Sequence, residues 1–140
     1  MPEKEADTTV TTRTMVPDDF GLVVSSMIHS LYYGCTFFSM AKKKPFCNNY
    51  HRIIEHILSS DQYEKKSLCL VDDPDVVFGY SIYKPSTKTL IFVYIKKSFR
   101  GFGLMKRLVP KETKTVAHLT DIGMSILKKY DKISFDPFSI

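Results

Sequence analysis

Two glycines flank one aromatic residue at Arg100-Gly101-Phe102-Gly103. Glycine removes the Cβ atoms that would hold a ligand away from the backbone, so successive N–H groups can converge on one anion. Lys96, Lys97, Arg100, Lys106 and Arg107 lie on either side. A pyrophosphate suits such a cradle, with amides on its oxygens and cations balancing its charge. The same spacing also serves a tight turn with no ligand. The surrounding elements have to decide between the two.

The stretch Thr89–Ile95 (TLIFVYI) is apolar on both faces, which predicts a central strand. It feeds directly into the glycine turn. Leu104–Val109 then reads as a short helix stopped by Pro110. Its free N-terminal amides and positive dipole end would face the turn. The motif therefore sits at a strand-to-helix junction.

Upstream, Val10–Met15 is a β-prone first strand. Pro17 opens a helix whose apolar residues Phe20, Val23, Val24, Met27, Ile28 and Leu31 form one stripe, with Gly34 as the stop. Cys35–Cys47 reads as a connection. Asn48 or Asn49 then caps a second helix carrying Tyr50, Ile53, Ile54, Ile57 and Leu58 on one face. Ser67–Val71 and Val76–Lys84 read as strands around an Asp-rich turn. The interior Gly79 signals a bulge or a close backbone approach. Downstream come a strand at Thr115–Thr120, a helix capped by Asp121 and an edge strand or tail at Ser134–Ile140. In that helix Ile122, Ile126 and Tyr130 share one face, which makes Tyr130 a core position on periodicity alone. The order β-α-α-β-β-β-α-β-α-β predicts one mixed sheet with helices on it. Residues 1–7 read as a frayed, charged end and 8–140 as one domain.

The composition narrows the functions. The chain has 140 residues and a net charge of +5. Residues 84–140 carry 12 basic and 4 acidic groups, whereas residues 1–83 carry 8 basic and 11 acidic. An anionic partner for the second part follows. There is no helix-turn-helix, RNP-like or Cys/His module, so no specific nucleic-acid reader is expected. The three cysteines have no CxxC spacing and read as buried free thiols. The four histidines lack a metal-ligand pattern, so no metal is expected. No signal peptide and no membrane span are recognisable, and a cytoplasmic protein is the default. Tyr32, Tyr33, Phe37 and Phe38 form a candidate interface patch, which leaves an oligomer or assembly open.

The string Ile95-x-x-x-Phe99-Arg100-Gly101-x-Gly103-Leu104 resembles the acetyl-CoA signature of the GCN5-related N-acetyltransferase (GNAT) superfamily. The family's signature is Gln/Arg-x-x-Gly-x-Gly/Ala, and Ser98 stands where Gln or Arg is expected. A second stretch, Tyr130-Asp131-Lys132-Ile133-Ser134-Phe135, is similar to the family's Tyr-Glu-Lys-Leu-Gly-Phe. The order of elements matches over nearly the whole domain. The stretch from Tyr94 to Gly101 is also similar to small, divergent GNAT-like proteins of tailed phages.

The resemblance implies a mixed, mostly antiparallel sheet with helices on both faces. It also implies transfer of an acyl group from acetyl-CoA to an amine of a small molecule or protein. Val93, Tyr94 and Ile95 would pair with the pantetheine arm in a gap between Thr89–Ile95 and the next strand. Arg100, Gly101, Phe102, Gly103, Leu104 and Met105 would hold the pyrophosphate through their amides. Tyr130 matches the tyrosine that protonates the leaving thiolate, a role suited to a phenol of pKa near ~10. No carboxylate on Thr89–Ile95 takes the place of the family's usual base. The acceptor would lie near Cys35–Tyr50 and Pro85–Lys88. The phage likeness adds an alternative: a catalytically degenerate member serving as a structural or interaction component, in host cytoplasm or virion.

Overall fold

The computed structural model describes residues 9–140, so the frayed end expected at 1–7 lies outside the described residues. Six strands form one sheet in sequence order: β1 Val10–Thr14, β2 Glu64–Leu70, β3 Val77–Lys84, β4 Thr89–Ile95, β5 Thr115–Val116 and β6 Ser134–Phe135. β1–β2, β2–β3 and β3–β4 pair antiparallel, and β4–β5 and β5–β6 pair in parallel. Helices α1 (Phe20–Gly34), α2 (Thr36–Ser39) and α3 (Lys43–Ser59) lie between β1 and β2 in sequence. The short helix α4 (Met105–Leu108) follows β4, and α5 (Asp121–Leu127) follows β5.

The predicted stripe of α1 is its buried face: Val23, Met27 and Leu31 are fully enclosed. They pack with Ile54, Ile57 and Leu58 of α3 onto Tyr80, Ile82, Ile91 and Phe92 of the sheet. A hydrogen bond of 2.8 Å between Ser26 Oγ and Tyr80 Oη ties α1 to β3. Burial drives the Tyr80 hydroxyl pKa strongly up, partly opposed by that bond, so the phenol stays neutral. The opposite face carries Val10, Leu68, Phe78 and Ile95 under Leu104 and Leu108. Further along it, Tyr83, Leu90 and Val116 pack with Leu119, Leu127 and Ile133. Helices thus cover both faces of the sheet.

Two bulges shape the centre. The β2–β3 register shifts at Leu68/Cys69, leaving Phe78 as the extra residue. That shift turns Phe78 onto the same face as Leu104, although Tyr80 points the other way. The β3–β4 register shifts at Ile82/Tyr83, so Ile91 and Phe92 both join the α1–α3 core. Gly79 shows both features expected of it. It lies beside the first bulge, and a Cβ there would stand 2.8 Å from the Tyr94 carbonyl oxygen.

Several boundaries differ from expectation. α3 begins at Lys43 rather than after Asn48 or Asn49, with Pro45 tolerated in its first turn. This brings Phe46 into the core, and the segment expected as a plain connection also contains α2. Lys65 Nζ donates to the carbonyls of Leu58 (2.8 Å) and Ser60 (3.0 Å) at the end of α3, a cation suited to a helix C-terminus. Thr120, not Asp121, caps α5, its hydroxyl accepting from the Gly123 N–H. α5 stops at Leu127, and Ile122, Ile126 and Tyr130 are all exposed. The core position assigned to Tyr130 by periodicity is therefore corrected. Of the candidate patch, Tyr32 and Phe38 pack against the core, and only Tyr33 and Phe37 face out. Among the cysteines only Cys69 is buried; Cys35 and Cys47 are partly exposed. Among the described residues no helix is long and apolar enough to cross a membrane.

Candidate functional site: a half-paired strand ending in a glycine turn

The strand expected at Thr115–Thr120 pairs over only two residues, Thr89 with Thr115 and Leu90 with Val116. One more bond, Ala117 N–H to the Leu90 carbonyl at 2.9 Å, closes the ladder. Beyond it no strand among the described residues pairs with Ile91–Ile95 on that side. The other side of β4 is fully engaged. The Lys96 N–H donates to the Phe78 carbonyl at 2.8 Å, and the Tyr94 carbonyl lies against Gly79. Alternation then turns the polar backbone of Val93 and Ile95 toward the unpaired side. Buried backbone groups require partners, so an edge inside a sheet is a place for an extended ligand.

The chain leaves β4 because it is held elsewhere. Asp121 accepts from the Thr36 hydroxyl at 2.6 Å and from the Thr36 N–H at 3.2 Å. Thr120 packs its methyl group against Gly34 so closely that a Cβ there would meet it at 3.1 Å. The continuation of β5 is thus drawn toward the α1–α2 junction.

The glycine turn follows β4 directly. Gly101 (φ 90°) and Gly103 (φ 74°) both adopt the left-handed conformation that L side chains resist. A Cβ on Gly101 would meet nothing within 4 Å, so conformation rather than space demands this glycine. Leu104 turns its side chain into the core, leaving its backbone to the turn. Phe99 stacks on Phe78 with centroids 4.2 Å apart and anchors the turn to the sheet. Phe102 packs partly against the same cluster, and Met105 is exposed.

The cations are distributed differently from the sequence expectation. Arg100 folds back, its Nε donating to the Ile95 carbonyl at 2.7 Å and its guanidinium lying 5.8 Å from the Tyr94 ring. Arg107 donates to the Val10 carbonyl at 2.6 Å. Two of the five expected charges therefore hold the protein together, while Lys96, Lys97 and Lys106 are exposed. α4 has four residues, so its dipole is small.

Tyr130 lies past the end of α5, at the opposite end of β4 from the glycine turn. It lines an open hollow of about 820 Å³ with Thr113, Thr115, Lys111, Lys114, Lys129 and Lys132. A seven-residue strand is roughly 20–24 Å long. An elongated thioester laid along the unpaired edge would have its phosphates at the glycine turn and its thiol toward Ile91, where the ladder with β5 closes.

His118 was not singled out by the sequence, where it appeared only as a histidine outside any metal pattern. It directly follows Ala117, at the point where backbone pairing ends. It is buried, its Nδ1 has no hydrogen-bond partner, and the ring meets Tyr50 of α3 edge-on at 5.6 Å. Burial lowers its pKa, opposed by the Ile91 backbone, and raises that of the Tyr50 hydroxyl. The available signal was a lone imidazole in the apolar run Val116–Leu119.

No protein-family model and no curated protein matches the sequence. Solved structures do match the fold. A GCN5-related N-acetyltransferase from Ralstonia eutropha JMP134 superposes with a TM-score of 0.59 at 11% identity, over 87% of this chain and 91% of that one. The PaiA N-acetyltransferase from Thermoplasma acidophilum, in complex with coenzyme A, gives 0.57 at 12% identity over 86% and 87%. A histone acetyltransferase HPA2-related protein from Corynebacterium glutamicum gives 0.53 at 14% identity over 89% and 75%. A mixed sheet, open between β4 and β5 and followed by a glycine turn, has the fold of the GCN5-related N-acetyltransferases.

Proposed function

We propose that the protein is an acyl-CoA-dependent N-acyltransferase that moves an acetyl group from acetyl-CoA directly to an amine. The observation that carries this reading is the unpaired edge of β4 running into the Gly101–Gly103 turn. Val93 supplies N–H and C=O groups to the pantetheine arm, while Tyr94 packs beside it. The Ile95 carbonyl is already occupied by Arg100, so Ile95 contributes chiefly its N–H. The Arg100 N–H is donated to the Lys97 carbonyl at 3.3 Å, so the amides from Gly101 to Met105 take the pyrophosphate, with Lys96, Lys97 and Lys106 balancing charge. Tyr130 protonates the leaving thiolate from the β5 end. The acceptor, a small-molecule or protein amine, enters beside Cys35–Tyr50 and Pro85–Lys88.

Thermal unfolding with acetyl-CoA and with free CoA tests this reading. A ligand at 100 times its Kd stabilises by about 2.7 kcal/mol. Both CoA species should raise the midpoint. No shift at millimolar ligand, together with isolation in a large assembly, would favour a structural or interaction component, including a phage virion protein.

A further inference from the structure

The end of β5 holds a group that the glycine turn and Tyr130 do not account for. His118 is 6% exposed, and its Nδ1 is buried without a hydrogen-bond partner. A buried polar atom left unpaired is costly, and folded proteins pair nearly all of them. Structure around it does not supply the missing donor. Tyr50 presents its ring edge-on, and the neighbouring Ala117, Tyr50 and Phe92 belong to one apolar cluster. The position is equally specific. His118 is the first residue after the last backbone bond between β5 and β4, beside the unpaired edge at Ile91.

We propose that His118 is the proton acceptor for the amine that attacks the acyl thioester. This inference rests on the acyltransferase reading above and adds the base that β4 itself lacks. The imidazole enters neutral. The amine nitrogen forms a bond to the acyl carbon and passes a proton to the free imidazole nitrogen, directly or through one water. The C–S bond breaks, and the thiolate takes a proton from Tyr130. The products are an amide, CoA thiol, an imidazolium and a tyrosinate, and the last two return to their starting forms by exchanging one proton with solvent. Burial keeps the imidazole neutral at pH 7, which a base requires. Around the imidazole, α3 contributes the ring of the titratable Tyr50 and β4 contributes the Ile91 backbone. The Cys35 thiol acts on Tyr50 in turn.

The test follows thiol release from acetyl-CoA by the full chain, with Nα-acetyl-lysine amide as acceptor and with water alone. Wild type, His118→Gln and His118→Ala are compared across pH 5 to 9, and CoA affinity is measured in parallel. The expected result is a roughly 10²–10⁴-fold lower rate in both variants, with unchanged CoA affinity and loss of the acidic limb of the profile. Added imidazole should partly restore His118→Ala, which a purely packing role would not allow. An unaltered rate and profile in His118→Gln would overturn the role of His118, as would wild-type protein that binds CoA yet releases no thiol. Both results leave CoA binding standing. Absence of CoA binding in wild type overturns the acyltransferase reading, and the role of His118 with it.

Discussion

The carboxylate of Asp121 receives both the hydroxyl and the backbone N–H of Thr36, 85 residues away in sequence. This pair fastens the start of α5 to the α1–α2 junction. It also fixes where the chain after β5 goes once it leaves β4. Asp121→Ala should cost about 1 kcal/mol, because the pair is solvent-exposed. The clearer effect should be faster amide exchange at Thr36 and through 117–123, with β2–β4 unchanged. Uniform exchange across the sheet would show that the pair does not position this wall.

Gly79 should tolerate no side chain. Its missing Cβ lets the Tyr94 carbonyl approach within 2.8 Å of that position, with backbone and not a flexible tip in the way. Gly79→Ala is expected to destabilise by about 1–3 kcal/mol through forced separation of β3 and β4. Denaturant unfolding measures this directly.

In the turn, conformation and charge separate experimentally. Gly101→Ala faces open space and pays only for its positive φ, about 1–2 kcal/mol. Gly101→Glu carries the same strain and adds a negative charge at the proposed pyrophosphate. CoA affinity should fall more than 100-fold in Gly101→Glu and far less in Gly101→Ala. Equal effects would assign the loss to backbone strain.

Tyr130→Phe should lower turnover by 10-fold or more while leaving CoA affinity intact, because the side chain is exposed and loss of its hydroxyl alone disturbs no core. Stability should change by less than about 0.5 kcal/mol. Unchanged turnover would remove Tyr130 from the chemistry.

Acid stability should depend on Asp19. Burial pushes its pKa up, but Arg13 (2.7 and 3.1 Å), the Val16 N–H and Ser67 together outweigh burial and hold it below the ordinary value. A carboxylate with a lowered folded pKa contributes stability above its unfolded pKa of about 3.9 and loses it as pH falls through the folded value. Stability should therefore decline below about pH 4. Asp19→Asn should lose about 2–4 kcal/mol at pH 7 and show a flatter acid limb. Urea midpoints between pH 2 and 7 decide the matter.

Elements whose face toward the core repeats with a local period were legible in the chain itself. The stripe from Phe20 to Leu31, the doubly apolar β4 and the glycine turn are of this kind, because each residue's burial depends on its own helix or strand geometry. Gly79 was legible for a related reason, since an interior glycine in a strand leaves few alternatives. Pairing length, however, is a property of two chains. Nothing within Thr115–Thr120 says that its ladder stops at Ala117, because the Thr36–Asp121 and Gly34–Thr120 contacts that draw it away come from a distant helix. The same holds for the cations: Arg100 and Arg107 read as ligand charges until folding brings the Ile95 and Val10 carbonyls to them. The unpartnered nitrogen of His118 is likewise visible only once α3 and β4 have closed around it.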